Sequence, residues 1–409
     1  MNNKIKAAVA GAVLASASVA NAGITWDAGE WTVDMNGNVN AFAIFADNKD
    51  SGTQIAGGLA NTSTGQKNSE NTSISTGLLP SWLGFTATTR QNDIDTSVTI
   101  SFQPGTGGNQ ALAGGGGTEN RQAFLTFGDK SWGSVKVGKD LGIFGSTAIL
   151  NDMTLLGVGS NGAGTQHNGG AKGTTTTLGG IGTGYLYADW KGQIAYTTPN
   201  MNGFSATLGI TQPWNTVSST SGGAALSSTS TGGTDQPAYE VQAAYSWTGD
   251  FAGKVWVGGF FQDVTGIGTA NTSEDAQAFE VGVSTSVANI NLVAYGYSGE
   301  GVGTTGLLRD GYDTAGAARD SDGYYVQATY VIPMGTKLGV SYGESKLDLA
   351  SGEAASNLVE SNEMLTIGAY HPLTKHLNLV AEYSQVESDS HTSVSSESDI
   401  FSVGAILFF

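Results

Sequence analysis

Stretches of about ten residues in which apolar and polar side chains take turns recur along almost the whole of this chain. In Trp31–Phe45, the residues Trp31, Val33, Met35, Val39 and Ala41 alternate with Thr32, Asp34, Asn36, Asn38 and Asn40. In Ala238–Trp247, Tyr239, Val241, Ala243, Tyr245 and Trp247 alternate with Glu240, Gln242 and Ser246. Gln277–Val287 and Gly323–Ile332 repeat the pattern. A period of two is the signature of a β-strand with unlike faces. Ten residues at about 3.3 Å each, tilted near 45°, rise about 24 Å, close to the ~25 Å apolar band of a transmembrane barrel. Beyond residue 22, no apolar run approaches the ~18–20 residues of a spanning helix. A chain that spans lipid without such runs must close its strands into a barrel, because every backbone N–H and C=O in lipid needs a partner.

The connections carry a second rhythm. Short ones fall at Gln91–Ile94, Gly128–Gly133, Pro199–Asn202, Thr248–Phe251, Ala288–Asn289, Pro333–Thr336 and Pro372–His376. Long ones fall near Asn48–Pro80, Pro104–Asn120, Asp140–Ala188, Pro213–Gln236, Asp263–Asp275, Gly299–Asp322, Glu344–Asn362 and Ser388–Ser398. Alternating short and long connections predict an all-β, 16-stranded antiparallel transmembrane barrel, with short periplasmic turns and long extracellular loops. Phe401, Val403, Ala405, Leu407 and Phe409 share one face of the last strand, which is expected to pair with Trp31–Phe45. Tyr196, Trp247, Tyr330 and Tyr370 each precede a short turn, where an aromatic girdle would stand. A lipocalin-like barrel or a sandwich would place its apolar face inside. No clean repeat of 20–50 residues supports a propeller or solenoid.

At the other end, Lys4 and Lys6 precede the apolar stretch Ala7–Leu14, followed by Ala20-Asn21-Ala22 and Gly23. A charged start, an apolar middle and an A-x-A site read as a secretory signal over residues 1–22, leaving 23–409 as the barrel. There is no cysteine, so an exported chain of this kind relies on backbone pairing and burial. The net charge is −18, and loss of Lys4 and Lys6 makes it two units more negative. Such a charge argues against nucleic acid as a partner.

Five segments, in order, resemble the Gram-negative trimeric porins, the general diffusion porins of the outer membrane. They are Ser81–Phe85; Arg121–Phe127 leading through Trp132–Lys139; Gln193–Phe204; Ala369–His376; and the terminal Phe409. The resemblance implies a water-filled channel for ions and small hydrophilic solutes, assembled as a homotrimer in the outer membrane among lipid and lipopolysaccharide. It implies a loop, here about 140–188, that folds into the lumen and narrows it. It also implies that the barrel-assembly machinery reads Phe409.

Basic wall residues then face an acidic loop. Arg121–Lys191 holds six basic residues against four acidic ones, a net positive stretch in an acidic chain. Charges of opposite sign across a neck set up a transverse field that orients solutes and sets ion preference. The resemblance places a wall cation at Lys139, although Lys139 is out of phase with Ser134-Lys136-Gly138 and needs a bulge to turn inward. Lys136 is in lumen phase, and Asp152 is the sole acid within Gly142–Gly184. Trp82 stands where the family commonly has an arginine, and Lys191 is a candidate to compensate. Arg90 and Arg121 complete the candidate pore set. Acidic loops favour cations at the mouth and a lysine wall favours anions at the neck; the balance is read as leaning to cations.

Other motifs are weighed against this reading. Gly339-Val340-Ser341-Tyr342-Gly343 spells a nucleophile elbow, yet sits inside an alternating strand with no helix after it. Gly157–Gly162 and Gly301–Gly306 match a dinucleotide pattern without opening a helix. His167, His371, His376 and His391 show no ligand spacing, and no cofactor or metal is expected. The alternatives kept open are a substrate-selective channel of the same architecture, or an adhesin or surface enzyme on a barrel.

Overall fold

The structure, a computed structural model, describes residues 23–49, 52–60, 69–106, 118–161, 176–219, 226–228 and 235–409. The proposed signal, residues 1–22, and Lys172 and His167 lie outside these. Among the described residues, sixteen antiparallel wall strands close a barrel. They are β1 (Trp31–Lys49), β2 (Ser69–Ser75 and Trp82–Gln91, one wall position interrupted), β3 (Ile94–Pro104), β4 (Ala123–Asp129), β5 (Gly133–Leu141), β6 (Trp190–Thr197), β7 (Phe204–Thr211) and β8 (Ala238–Trp247). The second half comprises β9 (Phe251–Ile267), β10 (Thr272–Val287), β11 (Ile290–Glu300), β12 (Asp320–Val331), β13 (Lys337–Leu347), β14 (Val359–Pro372), β15 (Leu377–Ser390) and β16 (Ser395–Phe408). All seven short connections stand where the sequence places them.

Several long connections are shorter than the sequence suggests, because the strands continue upward. β9 and β10 run 17 and 16 residues and meet just beyond Ile267. Seventeen residues at about 3.3 Å and a 45° tilt rise about 40 Å, well past the apolar band. The lipid-facing apolar pattern ends there because the outward phase turns polar at Asp263, Asp275 and Gln277, while Val264, Ile267 and Ala276 stay buried inside, so the sequence reads as loop.

The barrel closes between β1 and β16, but only over part of β1. Asn38–Lys49 pair with Glu397–Phe408. The lower residues Trp31–Met35 pair instead with a leading strand, Ile24–Ala28, which turns back at Gly29 with φ +68°. The expected pairing of the last strand with all of Trp31–Phe45 is therefore corrected. β16 ends opposite Gly37, so the segment below it would keep unpaired backbone groups without the leading strand. Phe409 exchanges backbone hydrogen bonds with Gly37 at 2.9 and 3.0 Å.

The alternation sorts the faces as expected. Phe401, Leu407, Tyr239, Val281 and Val326 are exposed on the outer wall. The partner phase is buried: Ile406 and Phe408, the apolar lapses of the last strand, pack inward with Phe42, Met153 and Leu156. Near the extracellular end of the outer wall, four glutamates stand directly opposite one another across adjacent strands. Glu344 faces Glu363, Glu363 faces Glu387, and Glu387 faces Glu397. Lys346 pairs with Glu344 at 2.8 Å, and Lys49 with Glu397 at 3.5 Å and Asp399 at 2.6 Å.

Candidate functional site

After β5 the described residues 142–161 and 176–189 leave the wall and lie along its inner face. Among its described residues this inner loop holds one short helix, α1 (Ser146–Asn151), and a single 3₁₀ turn, Met153–Leu156. Its backbone is held by inward side chains of strands across the lumen. The Glu240 carboxylate of β8 accepts from the Ile143 and Phe144 amides at 2.6 and 2.9 Å. Its other oxygen accepts from Lys191 Nζ at 2.7 Å and the Thr211 hydroxyl at 3.0 Å. Glu280 of β10 accepts from the Gly145 amide at 3.0 Å and the Tyr295 hydroxyl at 2.9 Å. Glu382 of β15 accepts from the Val158 and Gly159 amides at 2.6 and 3.0 Å and from the Tyr370 hydroxyl at 2.6 Å. Gln327 of β12 takes the Met153 amide at 2.7 Å, and Ser345 of β13 takes the Gly184 amide at 2.8 Å. Buried carboxylates with two to four charge-assisted donors each are strong anchors.

The glycine run at Gly157 explains itself here. It offers successive amides to a carboxylate of its own wall, and any side chain at Gly157 would lie 2.0 Å from Glu382 Oε1. The dinucleotide-like pattern is thus a seat for Glu382. The elbow-like Ser341 is a buried inward residue within β13, and no helix follows.

The sequence candidates separate. Lys136 faces the lumen; it pairs with Asp140 and lies 5.0 Å from the Phe124 ring centroid. Lys139 does not. The ladders on both sides of β5 run without a shift, pairing Lys139 with Ala123 and Gly192, so no bulge re-aims it. It stands exposed on the outer wall in phase with Val135 and Val137, beside a face that carries Leu125 and Ile194. Asp152 is the loop's own organiser: it accepts from the Thr154 amide and hydroxyl, the Gly180 amide and the Tyr185 hydroxyl, all within 2.7–3.0 Å. Lys191 is fully buried against Glu240, so its charge is neutralised within the wall. Arg121 is 5% exposed, pairs with Glu119 at 2.8 Å and lies over Trp190. Arg90 sits beside the short turn at the periplasmic rim, tied to Asp95 and Asp129 at 2.7 and 3.0 Å and to Asp93 at 3.8 Å. Trp82 is inward and donates to Asn36 at 3.1 Å.

Of the proposed aromatic girdle, Tyr196, Trp247 and Tyr330 stand on the outer face beside short turns. Trp247 stacks with Tyr245 and Phe251 there. Tyr370 is corrected: it is 3% exposed and points inward to Glu382, in phase with Thr366 and Gly368.

Below the inner loop lies a vestibule of about 1110 Å³, open toward the short-turn end. Its roof includes Leu150, Met153, Leu155 and Leu156 of the inner loop. Its wall carries Lys254 of β9 and Lys337 of β13, which the sequence reading did not single out. Their signal was available: each is a cation in the inward phase of an alternating strand. Glu240, Glu280 and Glu382 carried the same signal, a carboxylate in lumen phase.

The sequence matches the Gram-negative porin family over residues 7–391. No curated protein matches it. Solved structures with the same fold include the outer membrane channel DcaP of Acinetobacter baumannii, at 16% identity and TM-score 0.65, covering 95% of this chain and 100% of that one. An anion-selective porin from Comamonas acidovorans aligns at 14% identity and TM-score 0.59, covering 93% and 100%. Salmonella typhi OmpF, solved with daunomycin, aligns at 14% identity and TM-score 0.57, covering 94% and 100%. With a closed wall, an outward apolar face and a polar lumen spanned by an anchored loop, the chain belongs to the Gram-negative porins and forms an outer-membrane channel for passive diffusion.

Proposed function

We propose that this porin is a general diffusion channel for ions and small hydrophilic solutes, that it works as a homotrimer, and that it catalyses no reaction. The loop at about 140–188, through its described residues, narrows the lumen and sets what passes. The observation that carries this reading is the clamp of Glu240, Glu280 and Glu382 on the inner loop, which holds the loop inside the lumen above a vestibule of about 1110 Å³. Loops held at several separate wall positions have little freedom to leave the channel.

The chain reaches the membrane after removal of residues 1–22, with Ala20 and Ala22 guiding cleavage before Gly23. The barrel-assembly machinery reads Phe409, and lipid and lipopolysaccharide cover the outer wall. Trimerisation is supported by the family and by a Vibrio cholerae relative of the same fold described in a trimer form. Reconstitution into a planar bilayer tests the channel: stepwise conductance is expected, and its absence near neutral pH refutes the reading. Cross-linking of the purified protein is expected to stop at three subunits. Ser341→Ala is expected to change neither conductance nor any hydrolytic background.

A further inference from the structure

The lumen is not electrically balanced along its length. Two carboxylates line the vestibule beneath the inner loop, and both are occupied. Asp140 is bound by Lys136 and by the Gln122 amide, and Asp152 is surrounded by four donors of its own loop. Glu280 and Glu382 stand outside this lining and hold inner-loop amides. Two cations of the same wall, Lys254 and Lys337, are not matched in this way. Among the described residues, neither Lys254 nor Lys337 has a carboxylate within ion-pair distance.

Both are instead laid over aromatic rings. Lys254 Nζ lies 6.0 Å from the Trp256 ring centroid, and Lys337 Nζ lies 4.7 Å from that of Tyr370. Tyr370 is itself fixed by its bond to Glu382, and Trp256 is fully buried. A ring face orients an ammonium and steadies it, but leaves its full charge and its donor hydrogens available to a third party. A salt bridge would have cancelled both. Thr329 and Asn378 line the same cavity and add neutral polar surface.

We infer that the vestibule is a binding site for small oxyanions, with Lys254 and Lys337 as its charged contacts. The inference rests on the porin reading and deepens it. It reverses, for this part of the lumen, the cation preference that the acidic composition suggests: the carboxylates of the inner half are bound up in architecture, whereas these two lysines are not. Each lysine raises the local concentration of a monovalent anion roughly threefold at ~7 Å in a water-filled lumen, and that of a multivalent anion more.

The test uses the full-length protein in planar bilayers, with citrate as the oxyanion probe and chloride as the current carrier. Citrate is expected to block the parent channel at a measurable half-blocking concentration. In the Lys254→Gln, Lys337→Gln double variant that concentration is expected to rise about fivefold or more, and the reversal potential in a KCl gradient to move toward cation preference. The corresponding double arginine variant and the outer-wall variant Lys139→Gln are expected to keep parent values. Channel steps in each variant attest that it has folded. An unblocked parent channel, or a double glutamine variant within about twofold of the parent, overturns the site while leaving the porin reading intact. No conductance from the parent overturns the porin reading, and the site with it.

Discussion

The Glu240 anchor is the most exacting place to test how the inner loop is held. In Glu240→Gln the side chain keeps its shape but loses the charge that Lys191 faces, and neither residue has any exposure to water. The amide must also choose. If its oxygen stays on the Ile143 and Phe144 amides, its NH₂ meets Lys191 Nζ and the Thr211 hydroxyl; if it flips, two buried amides lose their acceptor. Breaking a buried pair by neutralising one partner costs about 3–5 kcal/mol. The Trp214 and Phe260 rings, at 5.9 and 5.7 Å from Lys191 Nζ, offset part of this. A net loosening of about 3 kcal/mol corresponds to roughly a 150-fold rise in local opening. Hydrogen exchange at the Ile143 and Phe144 amides in detergent-solubilised protein reads it directly. Adding Lys191→Met to Glu240→Gln should recover much of the protection, because the stranded charge is gone. Exchange within about threefold of the parent in the single variant would refute the reasoning, since the carboxylate would then not be holding the loop.

Other changes have equally definite outcomes. Lys139 stands six residues above the start of β5, about 14 Å up the wall by strand rise and tilt, in the middle of the lipid-facing band. Lys139→Leu is expected to stabilise the barrel by about 2–4 kcal/mol in urea titration into lipid vesicles and to leave the reversal potential unchanged; a changed reversal potential would put the side chain back in the lumen. A Cβ at Gly37 would lie 2.3 Å from the Trp82 carbonyl and 2.8 Å from the Phe409 ring, so Gly37→Val is expected to open the seam. Its folded fraction on unheated gels should fall, as it should when Phe409 is deleted, with little change in the unit conductance of barrels that do form. Gly157→Ala forces Glu382 off the Val158 and Gly159 amides, at a cost of about 1–3 kcal/mol per stranded donor. Noisier open-channel current should follow, and quiet current would contradict the clamp.

The wall was legible because its physics is local. Period two, turn spacing and the apolar outward face follow from each strand's own residues, so the strand count and the seven short turns stand as read. The phase rule was also right where family likeness pulled against it. Lys139 shares its parity with Val135 and Val137 and lies outside, although the resemblance places a wall cation there. Tyr370 went astray through neglect of that rule, for it shares parity with Thr366 and Gly368 while Ile367 faces out. The partners of Glu240, Glu280 and Glu382 were not legible at all. They are amides of a loop whose path is set by contacts up to 224 residues away in sequence, and a backbone N–H has no identity in the sequence. Asp152 and Lys191 were found as charges but misread as free ones, because only the folded loop reveals their donors and acceptor.

The row Glu344–Glu363–Glu387–Glu397 works against pairing, since like charges directly opposite each other cost a few tenths to about 1 kcal/mol per pair. Its register is locked by four strands, so the row cannot disperse. Because the strands are tilted by about 45°, the row climbs the outer wall, by about 10 Å from Glu344 to Glu397. Sinking the barrel would carry Glu344, the lowest of the four, toward hydrocarbon first, while raising it would bring the apolar face out into water. The sheet itself thus limits how deep this side of the barrel can sit, leaving the lipid to adapt its thickness to the protein.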